Sequence, residues 1–531
     1  MKKIFTSLLL GGLFFGQAQQ TELVFVFFKD KPNKATFFAN PLSELSQKSL
    51  DRRTQKSIPL NDQDAPIEAS YIQNVKNLGF MVTDYSKWLN GVAVNATKAQ
   101  IQNLQSQSYV SHVESFVRNP NGGKKAEADR PQKWKNIDAN KTNFNYGEGS
   151  AQIDQINLRP LHVAGYTGAG ITIAVIDTGF PTVNTGSAYK RMRDNGHIKG
   201  GYNFVTKSND IYNINVNTHG AFCLGAIAGF VQDQFVGTAP DADFYLYASE
   251  NAEVEIPEEQ LYWIEAAEEA DRKGVDLIST SLGYSEFDDS RYDYTYADMN
   301  GTTTFIARGA QIAYEKGIFV SFAAGNEATS AWHYITSPAD NAKVFSIGAV
   351  DESGTSASFS SFGPNSVGVI KPDVDARGVA TATVFGNGVN YGNGTSLANP
   401  VAAGGVASLL QALPKNINLD VVKSKLRATA SRANAPTDQQ GYGILNFGSA
   451  INQLLSVNNL EQKKMTIYPN PAKDVIEIQS NSKIESVQIF DNLGRLIKTE
   501  NASKINVSKL EKGVYYLKIN GGEKIEKFIK D

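Results

Sequence analysis

The sequence predicts an α/β protein whose largest domain is a parallel sheet with helices on both faces. Short apolar runs alternate with helical segments over residues 150–455, which is the pattern of such a sheet. A small α+β unit is predicted before this domain and a small all-β domain after it, because the helical pattern stops near residue 455. The chain has 531 residues, enough for two to four folded units.

The strands of the main domain are predicted from apolar runs bounded by polar or small residues. These runs cover residues 171–176, 244–247, 277–281, 318–322 and 344–347. The clearest helical pattern between them covers residues 258–273. In an open parallel sheet, sites form at the carboxyl ends of the strands, so polar residues that follow these runs are candidates for function.

The first 18 residues have the pattern of a secretory signal peptide. Lys2 and Lys3 precede an apolar run, and Gly16-Gln17-Ala18 forms a small-x-small exit, so we expect cleavage after Ala18. The run is too short to cross a membrane, and no later run is long enough. We therefore expect a secreted or cell-surface protein that is exported through the periplasm.

Residues 19–118 alternate between strand-like and helical runs, as a small α+β unit does. Strands are predicted at 23–28, 88–94 and 110–117, and helices at 67–78 and 97–107. Residues 119–149 are rich in Lys, Asn, Gly and Asp and poor in aliphatic side chains. That composition indicates an exposed linker that can be cut.

The pattern of the sequence changes after a polar linker at residues 456–463. Within residues 464–531, strand-like runs at 475–478, 487–490 and 514–519 are separated by turn residues. This segment is predicted to be a small all-β domain.

Composition excludes some classes of partner. The formal net charge is −3 and the pI about 6.1, so no excess of positive charge is present to attract nucleic acid. Cys223 is the only cysteine, so an intramolecular disulfide is impossible.

Three motifs together indicate nucleophilic catalysis. Asp177 ends the apolar run of IAVIDTG, His219 opens the small-residue segment THGAFCLGAIAG, and Ser396 follows the glycine-rich turn of GNGTSLANP, with a helix expected from about Asn399. Taken singly, they are equally a turn aspartate, a core histidine and a helix-capping serine. Together they supply a nucleophile, a base and a carboxylate that orients the base. Cys223 lies one helical turn after His219, so we expect it beside the triad.

A developing oxyanion also needs hydrogen-bond donors. Asn326 in SFAAGNE follows the run at 318–322, which is predicted to end on the same edge of the sheet. Its amide and the backbone N–H of Ser396 are the expected donors.

The motifs IAVIDTG, NTHGAFCLG, VDLISTSLG, SFAAGNE and YGNGTSLANPVAAG resemble those of subtilisin-like serine peptidases, in the same order. The resemblance implies a subtilisin-like fold, secreted serine endopeptidase activity on protein or peptide substrates, and the roles given above to Asp177, His219, Ser396 and Asn326. It implies that no cofactor is required for the chemistry. The sequence departs from the family pattern at Phe222, where many members have histidine, and at Asn399, where serine is common.

The same resemblance implies the walls of the pocket for the side chain before the scissile bond, the P1 side chain. One wall is Ser281, Leu282 and Gly283, and the other is Ala323, Ala324 and Gly325. Small residues there leave room for a large apolar side chain, while Glu327 at the rim could admit a basic one.

Structural calcium is the one ion that the resemblance implies, without a ligand set. Residues 284–300 hold the clustered carboxylates Asp288, Asp289, Asp293 and Asp298. Their spacing matches no defined calcium loop, so a solvated acidic loop is the alternative.

The flanking segments carry resemblances of their own. Residues 19–118 are similar in size and strand–helix order to the inhibitory propeptides of subtilases, which implies the chain's own propeptide as a partner. The segments IYPNPAKDVIEI, VQIFDNLGRLI and GVYYLKI resemble the C-terminal sorting domains of type IX secretion, which implies the secretion machinery as a second partner. A β-sandwich that binds carbohydrate or a cell surface is the alternative for the last domain.

Two alternative functions predict sequence features that differ from those of a peptidase. A catalytically silent binding or adhesion protein on a peptidase fold predicts a damaged triad, whereas this one is complete. A lipase or esterase predicts a GxSxG elbow and the chain order Ser, Asp, His, but this chain has GTS and the order Asp, His, Ser.

Overall fold

The computed structural model describes residues 20–125, 134–135, 146–212, 217–462, 466–480, 484–520 and 525–531, with backbone alone at 134–135 and 456–462. The chain divides into two compact units at residue 450. The predicted signal peptide, residues 1–18, lies outside the described residues.

The N-terminal part is an antiparallel sheet in the order β2-β3-β1-β4, with helices on it. Its predicted helices and strands are all present with bounds shifted by a few residues. A segment between β1 and α3, which contains α1 and α2, was not predicted. The elements are β1 Glu22–Phe28, α1 Lys34–Ala39, α2 Gln47–Gln55, α3 Ala69–Asn77, β2 Asp84–Ser86, β3 Gly91–Ala96, α4 Lys98–Gln105 and β4 Val110–Ser115.

The main sheet has seven strands, all parallel, in the order β14-β13-β12-β11-β6-β10-β7. Its strands are β6 Thr172–Asp177, β7 Ile198–Asn203, β10 Asp243–Ala248, β11 Leu277–Thr280, β12 Phe319–Ala323, β13 Phe345–Val350 and β14 Val374–Arg377. Smaller antiparallel sheets contain β5 Trp134–Lys135, β8 Phe230–Val231, β9 Phe235–Val236, β15 Thr381–Phe385 and β16 Gly388–Gly392.

Helices cover this sheet and bring the site residues to it. They are α5 Ser150–Gln155, α6 Arg159–Val163, α7 Lys190–Asp194, α8 His219–Ala228, α9 Glu259–Lys273, α10 Phe305–Glu315, α11 Thr395–Ala412 and α12 Leu419–Thr429. All residues of β6, β11, β12 and β13 are buried, which explains why these strands appear in the sequence as continuous apolar runs.

The start of α11 differs from the sequence expectation. The helix begins at Thr395, not near Asn399, because the amides of Leu397 and Ala398 already bond to the carbonyl of Gly394. Gly394 itself has φ 151°, a conformation that favours glycine. Ser396 therefore lies in the first turn of the helix, where backbone N–H groups have no partner inside the helix.

The C-terminal unit is all-β after its leading helix. Helix α13, Phe447–Gln462, occupies most of the stretch that the sequence indicated as a polar linker. Two antiparallel sheets follow, in the orders β17-β18-β21 and β20-β19-β22-β23, around a core that includes Ile476, Ile489, Leu517 and Phe528. Their strands are β17 Thr466–Tyr468, β18 Val475–Gln479, β19 Val487–Phe490, β20 Leu496–Glu500, β21 Lys504–Asn506, β22 Gly513–Ile519 and β23 Ile525–Lys530.

Candidate active site

Asp177 and His219 meet at the carboxyl edge of the main sheet. Asp177 is the last residue of β6 and is fully buried, and its Oδ1 lies 2.7 Å from Nδ1 of His219. The backbone N–H of Thr178 also donates to this oxygen at 2.8 Å. With Nδ1 bonded to the carboxylate, Nε2 is the ring nitrogen on the side away from Asp177.

Helix α8 approaches β6 closely because its second residue is glycine. A Cβ on Gly220 would lie 2.4 Å from the carbonyl oxygen of Gly179 and 3.0 Å from Cβ of Asp177. The turn before the helix is fixed by Asn217, whose side-chain oxygen accepts from the His219 amide at 2.8 Å. The THG sequence thus sets the distance between carboxylate and imidazole.

Cys223 connects the His219 helix to the Ser396 helix. Its Sγ lies 3.7 Å from Nδ1 of His219 and donates to the carbonyl oxygen of Ser396 at 3.2 Å. The expected position of Cys223 beside the triad is confirmed. His219 and Ser396 are therefore both within 4 Å of one sulfur atom.

Asn326 lies three residues beyond β12, next to the start of α11. Its Oδ1 accepts hydrogen bonds from the Thr395 amide at 2.9 Å and from Thr395 Oγ1 at 3.0 Å. Because the oxygen is held by Thr395, the Nδ2 amide hydrogens are the part of the side chain left to donate. Asn326 therefore lies beside the first turn of α11, which contains Ser396.

The environment changes the pKa values of two groups at the site. Burial, the largest single effect, would lower the pKa of His219, but the charge and hydrogen bond of Asp177 together with the neighbouring Cys223 raise that pKa well above its ordinary value. Burial raises the pKa of the Cys223 thiol to about 11, so the thiol is protonated at neutral pH and is a poor nucleophile.

Asn399, one of the two departures from the family pattern, is hydrogen-bonded to two strands of the main sheet. It is fully buried, and its Nδ2 donates to the carbonyl of Thr280 at 2.9 Å, while its Oδ1 accepts from Ser321 Oγ at 2.6 Å. It thereby joins α11 to β11 and β12. Phe222, the other departure, stacks on Phe385 of β15 at 5.0 Å.

The two predicted pocket walls follow neighbouring strands. Ser281, Leu282 and Gly283 follow β11, and Ala323, Ala324 and Gly325 end and follow β12. Thr336, which no sequence motif indicated, lies between them. A Cβ on Gly283 would be 2.2 Å from Thr336 Oγ1, and one on Gly325 would be 3.1 Å from the same atom. Thr336 is therefore close to both predicted walls.

The aspartates of residues 284–300 have separate protein partners. Asp288 accepts a hydrogen bond from the Glu255 amide, and Asp298 accepts one from the Thr295 amide. Asp289 forms an ion pair with Arg291, and Asp293 forms one with Lys125. Within the described ranges, no three of them converge as metal ligands. They do not fit a calcium site, and they are not freely solvated either, because hydrogen bonds and ion pairs with the protein hold each of them.

Comparisons with known proteins identify the family. A profile of the subtilase family matches residues 168–443, which is more than half of the chain and contains all the candidate catalytic residues. The chain belongs to the subtilase family.

Individual subtilases are similar over the same region. Serine protease AprX of Bacillus subtilis is 31% identical over 291 residues, which are 49% of this chain and 61% of AprX. Subtilisin E of Bacillus subtilis is 31% identical over 302 residues, 56% of this chain and 70% of that protein. The crystal structure of the epidermin leader peptide processing serine protease of Staphylococcus aureus superposes with a TM-score of 0.55 at 16% identity, covering 82% of this chain and 99% of the other. This subtilase is thus a subtilisin-like serine endopeptidase with a subtilisin-like fold.

The flanking parts of this subtilase match two further domain families. Residues 23–133 match the peptidase S8 propeptide domain of Bacteroidota, and residues 466–531 match a secretion system C-terminal sorting domain. The sorting domain indicates export through the type IX system. Among the residues described, no helix combines the length and apolar character needed to span a membrane.

Proposed function

We propose that this subtilase hydrolyses peptide bonds through an acyl-enzyme on Ser396, with His219 as base and acid, Asp177 as its orienting carboxylate and Asn326 as an oxyanion donor. The observation that carries the proposal is the buried hydrogen bond of 2.7 Å between Asp177 and His219. His219 begins helix α8, which Cys223 connects to the carbonyl of Ser396. A serine hydroxyl is a poor nucleophile at neutral pH and requires such a base.

The reaction begins when the Ser396 hydroxyl attacks the carbonyl carbon and His219 Nε2 takes its proton. The tetrahedral oxyanion then accepts hydrogen bonds from Asn326 Nδ2 and the Ser396 amide, a kind of donor worth about 10²- to 10³-fold in turnover. His219 returns the proton to the leaving amine as the C–N bond breaks. Water then attacks the acyl-enzyme by the same steps and releases the acid product.

Ser396→Ala tests this assignment by kinetics. Turnover should fall by about 10⁶-fold while folding and export are unchanged, as expected for loss of a triad nucleophile. The matched control is Ser353→Ala, an exposed serine outside the site. Equal turnover in wild type and Ser396→Ala would leave the fold assignment intact but overturn the assignment of the nucleophile.

We further propose the order of maturation along the chain. Residues 1–18 are removed as the signal peptide, residues 19–118 fold as the inhibitory propeptide, and 119–149 contain the cut that separates it from the peptidase domain, 150–455. Residues 464–531, after the short stretch 456–463, engage the type IX secretion machinery. The contact of this machinery with the sorting domain is supported by the domain match alone.

Bound calcium is proposed only as a structural ion, with no part in the chemistry. It is tested by adding a chelator to the purified peptidase. Loss of thermal stability that added Ca²⁺ restores would support it, and an unchanged melting temperature would overturn it.

A further inference from the structure

The propeptide contains a helical segment inserted between β1 and α3, here called the anchor and defined as residues 31–65. It has a small apolar core of its own, formed by Phe37, Leu45 and Ala65 with Leu50 and Leu60 packed against them. Its main helix is α2, whose amino end is capped by Ser46, which accepts from the Ser49 amide at 3.2 Å. The anchor is therefore an ordered element in its own right.

The anchor contacts the peptidase domain at the amino edge of the main sheet. Ser46 donates its amide to the carbonyl of Arg272 at 2.9 Å, and Arg52 Nε donates to the carbonyl of Lys316 at 3.2 Å. Lys56 donates to the carbonyl of Ile417 at 3.1 Å. Arg272 lies at the carboxyl end of α9, which leads into β11, and Lys316 follows α10, which leads into β12. The opposite, carboxyl ends of these two strands lead to Ser281 and Asn326. The contact is thus on the edge opposite the candidate active site.

Two glycines that end helices make this close contact possible. Gly274 ends α9 with φ 78°, and a Cβ there would lie 2.7 Å from Cβ of Lys48. Gly317 follows α10 with φ 87°, and a Cβ there would lie 2.8 Å from Ile58 Cδ1. The absence of a side chain at these two positions therefore lets the anchor lie against the peptidase domain, and any side chain at either glycine would clash with it.

Buried charges fasten the anchor. Asp271 of α9 pairs with Arg52 and also with Arg53, whose Nη2 is 2.7 Å from its Oδ2. Asp64 of the anchor pairs with Arg53 at 2.7 Å and with Lys316 of the peptidase domain at 3.1 Å. The side chains of all five residues are at most 3% exposed. The group holds three positive and two negative charges, and each carboxylate is shared by two cations, so the contact is expected to form and break as a unit.

The rest of the propeptide binds elsewhere. Glu268 of α9 accepts from Ser86 Oγ at 2.6 Å and from the Trp88 amide at 3.0 Å. Phe116 stacks on Phe305 of α10 at 4.0 Å. These contacts involve the propeptide sheet, the middle of α9 and the amino end of α10, whereas the anchor contacts the carboxyl ends of both helices. The propeptide is therefore held at two places.

We propose that the amino edge of the peptidase sheet is a binding surface for the anchor, and that the anchor retains the propeptide after the linker is cut. Cutting and release are then separate steps, and the rate of release is set by contacts on the far side of the sheet from the catalytic residues. The inference rests on the proposed function only because it takes the propeptide to be the inhibitor. Retention of the propeptide can be measured in a protein that has no peptidase activity.

The experiment uses the full chain carrying Ser396→Ala, with a recognition sequence for a site-specific protease in place of residues 136–142. After the cut, size-exclusion chromatography measures how fast the propeptide separates from the peptidase domain. Arg52→Ala should separate at least about tenfold faster, because it removes the buried ion pair with Asp271 and the hydrogen bond to the Lys316 carbonyl, and loss of buried charged contacts acts mainly on dissociation. The matched control is Lys34→Ala, since Lys34 pairs with Asp62 inside the anchor, where both side chains are exposed.

A second variant keeps the test decisive if Arg52→Ala does not fold. Lys48→Ala/Lys56→Ala removes contacts to Asp276 and Ile417 at the edge of the interface, leaves no buried charge unpaired, and should also separate faster than the Lys34→Ala control. Separation of this double variant at the control rate would overturn the proposal. Because Ser396 is already replaced, a failure of the catalytic assignment cannot produce either result.

Discussion

At the scale of single residues, the site depends on which atom of each side chain is already engaged. The Asp177 carboxylate holds His219 at Nδ1, and Thr395 holds Asn326 at Oδ1. Each engaged atom leaves the opposite one for chemistry, Nε2 in the imidazole and Nδ2 in the amide. The sequence motifs predicted these residues and the Asn326 amide as a donor, but not that Thr395 would hold the Asn326 oxygen.

The pH dependence of activity follows from His219. Only neutral His219 can accept the Ser396 proton, and Asp177 raises the pKa of His219 above its usual 6.5, so the acid limb of kcat/KM should have its midpoint above pH 6.5. A pH profile of peptide hydrolysis measures this. His197→Gln is the matched control, because His197 forms a similar pair with Asp243 at 3.0 Å away from the site, and it should leave the limb in place. An optimum near pH 4 with loss of activity above pH 6 would contradict the base assignment.

Substrate preference at the P1 position follows from Thr336. Because its side chain lies between Gly283 and Gly325, the enzyme should prefer alanine or serine over phenylalanine at that position. Thr336→Gly should raise kcat/KM for phenylalanine by about 10- to 100-fold, as expected when space for a side chain is opened. Thr302→Gly, at an exposed position, should change nothing. A wild-type preference for phenylalanine would show that Thr336 does not close the pocket.

At the scale of elements, α8, α11 and the ends of β11 and β12 form one unit. Gly220 brings α8 against Asp177, Cys223 links α8 to α11, and Asn399 links α11 to both strands. The sequence predicted these elements because their strands are buried on both faces and their helices are rich in small residues. It did not predict α2, because its polar residues, including Arg52 and Arg53, are buried by ion pairs rather than by an apolar face.

Asn399 tests this unit. Asn399→Ala should lower kcat more than it raises KM and should cost about 1 to 3 kcal/mol of stability, because the carbonyl of Thr280 and the hydroxyl of Ser321 lose their buried partner. Steady-state kinetics and thermal unfolding measure the two effects. Asn399→Ser, the residue common at this position in the family, should restore part of kcat. Normal kcat in Asn399→Ala would show that the link does not position Ser396.

At the scale of the whole molecule, the chain combines a propeptide, a peptidase domain and a sorting domain. The order of these parts was predictable from composition and motifs, since each has its own pattern of strands and helices. The boundaries between these parts were less predictable. Helix α13 runs through residues 456–462, where polar composition had indicated a linker, because the helix has already formed from Phe447 and extending a helix is much less costly than starting one.

The sorting domain should serve export and not catalysis. A chain that ends after Leu455 should retain peptidase activity after refolding but accumulate inside the cell, since it lacks the matched domain at 466–531. Cell fractionation and a peptidase assay measure the two properties. Normal appearance of the shortened chain in the medium would contradict the sorting role, and loss of peptidase activity would show that the domain also stabilises the enzyme.

The identity of the nucleophile is tested most directly by covalent labelling. A fluorophosphonate probe reacts only with a serine whose hydroxyl is activated by a base, so the mature enzyme should gain one probe. Digestion and mass spectrometry should then place that probe on Ser396, and His219→Ala should abolish the labelling. A probe found on any other residue, or equal labelling of wild type and Ser396→Ala, would contradict the assignment of Ser396, His219 and Asp177 as the catalytic triad.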